Sequence, residues 1–121
     1  MSLHGAVYQG RAGRGAPPGR THLGVQCVLI LLHRLDDTQV TSVNVGIGKA
    51  RTAAIYRRPS KEFEDQIRAG RVAALALADS TPLQGGIPIR LDGKVIGAIG
   101  VSGDTPQVDE AIAIAGASAF K

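Results

Sequence analysis

From Val25 to Leu32 the chain is apolar except for Gln26. This nearly continuous run, extended through residue 35, predicts a buried strand, since it lacks the alternation of a half-solvated one. Asp36-Asp37-Thr38 then marks a turn and supplies N-cap candidates for a helix over residues 39–56. Val40, Val43, Ile47, Ala50 and Ala54 recur at three and four residues and form one apolar stripe along it. Gly46 and Gly48 in the same helix each weaken it by up to about 1 kcal/mol relative to Ala, which points to close backbone packing or ligand approach. Arg58-Pro59 ends this helix, because proline disfavours a helical residue before it. Ser60 is placed to cap a second helix over 61–69, with Glu62, Glu64 and Asp65 at its positive end and Gly70 as its stop. Residues 72–78, rich in Ala and Leu, suit a short helix.

Two β-branched segments then flank Asp92-Gly93, a pair suited to the positive φ angles of a two-residue hairpin turn. Pro88 has no N–H for a ladder and belongs at an edge or strand start. Thr105 and Pro106 open a last helix as N-cap and first helical residue, and the rest is Ala, Ile, Gly and Ser almost to the end. Residues 1–24 carry six Gly and two Pro and show neither period. They predict no regular structure.

The hairpin run Gly85–Gly103 resembles the GlcG/HbpS family, the haem-degrading domain also found as the C-terminal half of PduO-type proteins. The resemblance extends in order through Arg34-Leu35-Asp36-Asp37, Gly48-Lys49-Ala50-Arg51-Thr52-Ala53-Ala54, Arg58-Pro59-Ser60-Lys61-Glu62-Phe63, Thr81-Pro82-Leu83 and Asp109-Glu110, covering about residues 33–121. It implies an α+β domain over 25–121, a mainly antiparallel sheet flanked by helices in a profilin-like three-layer arrangement. The family's first helix and first inner strand have no counterpart in residues 1–24. The expectation is an altered start that leaves the domain incomplete.

Composition narrows the chemistry. The 121 residues are one domain's worth, and with two Tyr, two Phe and no Trp the core must be aliphatic. The net charge of +4 is carried largely by three Arg in residues 1–24, leaving 11 basic and 10 acidic side chains in 25–121. Without a basic face interleaved with aromatic residues, specific nucleic-acid binding is not expected. The apolar run is too short to cross a bilayer and lacks a signal-peptide cleavage pattern, so no membrane association is expected. One cysteine, Cys27, excludes an intramolecular disulfide and multi-cysteine metal sites, and a cytoplasmic location follows as the expectation.

Gly97, Gly100 and Gly103 precede a helix start, yet they lie on a hairpin strand, so close packing and a turn explain them better than a phosphate loop. No Ser/His/Asp or Cys/His set supports hydrolase chemistry. The ligand implied by the resemblance is haem, with its breakdown as an accompanying activity, and haem iron commonly takes an imidazole. Of His4, His22 and His33, only His33 adjoins family-like sequence, which makes it the candidate metal ligand; a strand-end surface histidine is the other reading. Lys49, Arg51 and Lys61, with Arg57 and Arg58, can meet haem propionates or another carboxylate, although cations at a helix end also act structurally. Gly85 and Gly86 complete the candidate cofactor-binding set. A homo-oligomer is expected from the apolar, Ala/Gly-rich last helix and the strand edges. The alternatives are a protein for a small carboxylate or corrinoid-related metabolite without haem, or a truncated inactive paralogue.

Overall fold

A computed structural model describes residues 4–11 and 26–119. Its elements run β1 (His4–Arg11), β2 (Gln26–Arg34), α1 (Thr41–Tyr56), α2 (Lys61–Arg68), a 3₁₀ turn (Val72–Ala76), β3 (Gly86–Leu91), β4 (Lys94–Ser102) and α3 (Pro106–Ser118). The strands form one antiparallel sheet in the order β2-β1-β4-β3, with β2 and β3 at its edges.

Alternation along β4 divides the core in two. Ala98 packs with Ala50, Ala53 and Ala54 of α1 on one face. Ile99 and Val101 pack with Ile89 of β3 and Ala113 of α3 on the other. The helices therefore lie on opposite faces, giving three layers, and the expected α+β arrangement is the one found. Small residues set the α1 spacing: a Cβ on Gly100 would collide with the Gly46 carbonyl and lie 2.6 Å from the Ala50 nitrogen. Backbone thus touches backbone where a longer side chain would hold the layers apart.

Local signals explain most boundaries. Asp92 and Gly93 take φ of 52° and 76°, as the hairpin turn requires. The Thr105 hydroxyl accepts from the Val108 amide and Pro106 occupies the first turn of α3. Gly70, at φ 107°, ends α2, and Pro88 lies on the edge strand β3.

Several expectations are corrected. Residues 4–11 form β1, pairing with both β2 and β4, although their Gly-rich sequence shows no strand period; residues 12–24 lie outside the described residues. The pairing is made by backbone groups, so it leaves no side-chain signature. The run predicted as a buried strand is indeed β2, but it is exposed: Val28, Ile30 and Leu31 show 57%, 57% and 58% of their surface. It is an edge strand, and among the described residues little lies above it. Thr38 does not cap α1; its hydroxyl donates to the Leu35 carbonyl, and Val40 is exposed instead of heading the stripe. Ser60 does not cap α2 either, for reasons that belong to the site.

Candidate functional site

Lys49, in the middle of α1, is buried, and its ammonium lies 3.2 Å from Asp109 Oδ2 of α3. A charge removed from water must be paired and hydrogen-bonded to be tolerated. The Lys49 ammonium meets that need by also donating to the Val101 carbonyl at 2.9 Å, while Asp109 Oδ1 accepts from the Asp104 amide. Because α1 and α3 lie on opposite faces, this ion pair reaches around the sheet where β3 begins. Gly85 makes the passage: a Cβ there would stand 2.9 Å from both Lys49 Cδ and Nζ and 2.7 Å from the Val101 carbonyl oxygen. Its φ of 134° further excludes other residues.

The adjoining loop is held as tightly. Ser60 is fully buried, donates from its hydroxyl to the Leu83 carbonyl and accepts from the Gly86 amide at 2.8 Å. Its own amide donates to the Gly86 carbonyl. Thr52 Oγ1 donates to the Gly48 carbonyl and accepts from the Thr81 amide, both at 2.7 Å. Tyr56 donates to the Ala78 carbonyl. Glycines at 48, 85 and 86 therefore serve close packing, and the family-like segments converge here on a structural lock.

The sequence-derived candidates separate accordingly. Lys49, Gly85 and Gly86 come together, with Lys49 enclosed by the fold and facing Asp109 instead of an outer carboxylate. Lys61 follows Ser60 and is largely solvent-exposed; its ammonium donates to Asp65 Oδ2 at 2.6 Å, and this hydrogen bond raises its pKa above the ordinary lysine value. Arg51 is half-buried on α1. His33 is exposed on β2, at the opposite edge of the sheet. Its cross-strand row runs through Gly5 to Val101, which places it on the α3 side. Leu31 shares that side through Val7 and Ile99. Among the described residues no hydrogen bond engages the His33 imidazole, and no group of three metal-ligating side chains occurs.

Sequence reasoning missed Asp109, Asp104, Ser60 and Thr52 as parts of one lock. The available signal was the pairing of Lys49 with an aspartate in the first turns of the last helix, an association that sequence distance conceals. Two acids beside it, Asp104 and Glu110, each have one buried oxygen without a hydrogen-bond partner, while the other Glu110 oxygen accepts from Gln84.

The family described as haem degrading protein HbpS-like matches residues 24–118. Protein GlcG of Escherichia coli K12 is 42% identical over 74 residues, covering 61% of this chain and 55% of that protein. An uncharacterised 15.0 kDa protein from the dhaT-dhaS intergenic region of Citrobacter freundii is 39% identical over 88 residues, covering 69% of this chain and 62% of that one. The chain thus spans roughly three-fifths of these curated relatives. Among solved structures, Klebsiella pneumoniae ORFY superposes with TM-score 0.76 at 24% identity, over 98% of this chain and 74% of its own. HbpS gives 0.77 at 21%, over 99% and 74%, and a PduOC complex with haem gives 0.74 at 19%, over 99% and 80%. These likenesses extend the shared fold across the whole sheet, and with the match over residues 24–118 they establish that the chain belongs to the GlcG/HbpS family.

Proposed function

We propose that the protein binds haem, with His33 as the iron ligand and the α3 side of β1 and β2 as the surface for the macrocycle. The observation that carries this reading is an exposed imidazole at the end of an exposed aliphatic strand, with Leu31 on the same side of the sheet. A haem requires such a pairing of a neutral nitrogen donor with apolar surface, so the residues present fit the group. Bound there, haem supplies iron redox chemistry, and haem breakdown is the activity the reading extends to. The chain's own part is to hold the iron and to shield one face of the ring. Lys49 is excluded from propionate binding by its buried pairing, and Lys61 follows Ser60 beside β3, at the sheet edge opposite His33.

Family membership and the haem named in the PduOC structure support haem as the ligand. We place the protein in the cytoplasm as a homo-oligomer. The lone cysteine suits a reducing compartment, and among the described residues no helix is long and apolar enough to cross a membrane. The test is a hemin titration followed at the Soret band. A saturable one-to-one shift that is lost in His33→Ala supports the reading. Nonsaturating binding, or a shift the substitution leaves intact, removes His33 from the site and favours a small carboxylate or corrinoid-related metabolite.

A further inference from the structure

We propose that Arg57, Arg58 and Arg90 form a site for a phosphate group at the C-terminal end of α1. Arg57 closes that helix at φ 57° and ψ 38°, in the left-handed region. Glycine takes this conformation freely, whereas a residue with a side chain is strained there, so the arginine stands where the backbone favours another residue. Its exposed guanidinium makes no hydrogen bond or ion pair among the described residues. Departures of this kind concentrate where a side chain serves a ligand.

Two further guanidiniums are fixed around the same turn. Arg58 donates from Nε to the Tyr56 carbonyl at 3.1 Å, and its guanidinium carbon lies 5.5 Å from the centre of the Phe63 ring. Phe63 is buried and meets Tyr56 edge-on, which gives Arg58 a packed platform. Arg90 reaches from β3 and donates from Nη2 to the Arg57 carbonyl at 2.8 Å. A guanidinium has five N–H donors, and each of these two spends one on the backbone. Both residues are exposed, so most of each fork is left for an outside acceptor.

Charge decides the ligand. Against three arginines stand Glu62, 3.8 Å from Arg58 and half-exposed, and the negative pole of α1, worth about half a charge. Asp92 lies two positions beyond Arg90 but forms no ion pair with it among the described residues. The surplus, roughly one and a half positive charges, exceeds what one carboxylate neutralises. It suits a doubly charged phosphate, whose oxygens also match the planar forks. The haem surface at His33 is elsewhere. Arg90 pairs with Val95, six positions along β4 from the Val101 row that leads to His33, or about 20 Å. Strands β2 and β3 are three spacings apart, about 14 Å, so the two sites are separate.

The haem-free full chain tests the site in an amide NMR titration at low ionic strength and about pH 8, where a phosphate is doubly charged. Inorganic phosphate is expected to shift the signals of Arg57, Arg58, Phe63 and Arg90 saturably, while chloride at matched ionic strength leaves them in place. Arg57→Gly carries the decision. It should keep or raise the thermal midpoint, since it relieves the left-handed strain, and yet weaken phosphate binding ~10-fold, the loss of one charge-assisted contact. Arg90→Gln should weaken it to a similar extent. Methyl phosphate binding at least as tightly as inorganic phosphate assigns the site to phosphate esters, and weaker binding of the ester assigns it to the free ion. Unsaturable shifts, shifts that chloride reproduces, or an Arg57→Gly variant that binds phosphate as the wild type does overturn the proposal and leave the cluster a solvated helix end.

Discussion

Lys49 illustrates how a charged side chain can be misread when its partner is 60 positions away in sequence. Beside Arg51 and a glycine-containing helix it resembles a ligand cation, and nothing local announces Asp109. The fold encloses it, and the energetics follow from that enclosure. Removing one member of a buried pair leaves the other charge without compensation, at a cost of about 3–5 kcal/mol. Lys49→Met and Asp109→Asn are therefore each expected to lower unfolding free energy by that amount in urea titrations. The double variant Lys49→Met/Asp109→Leu should recover most of the loss, because it removes both desolvation penalties. Gly85→Ala should lose about 2–4 kcal/mol through backbone strain and displacement of the ammonium. Equal stability of the two single variants and the wild type would show that the pair is solvated. Lys61 behaves differently: its raised pKa means that its contribution is present below its ordinary value and fades only as pH rises through the folded one, well above neutrality.

At the scale of elements, the parts most legible in sequence are those fixed by local chemistry. Asp92-Gly93, Thr105-Pro106 and Gly70 each impose a backbone geometry on few residues, and each stands where expected. Burial was less legible, because it depends on what lies across a gap. The aliphatic run of β2 has the composition of a central strand but occupies an edge, and β1 has no apolar pattern but lies between two partners. Gly46 and Gly100 show the same dependence, since their value lies in the contact between α1 and β4. Gly100→Ala is expected to push these layers apart and cost about 3 kcal/mol, at the upper end for overpacking, measurable as a lowered thermal midpoint. A neutral substitution would mean that α1 does not sit directly on the strand.

For the molecule as a whole, the geometry of the lock and the open side of β2 have separate tasks. The lock fastens α1, the loop over 78–86 and α3 around the β3 edge, while the far edge presents His33 and aliphatic surface. The fold class and the family were legible because their motifs build that lock. The surface proposed for the ligand was legible only as the candidate His33, because no sequence pattern reveals the exposure of the strand that carries it. The most direct test of this division uses the paramagnetism of ferric haem. In amide NMR spectra, hemin should broaden the signals of Leu31, Leu32, His33 and Arg34 at substoichiometric ratios and spare those of Gly48, Ser60 and Thr81. Broadening centred on the latter three would place the ligand at the lock and contradict the account.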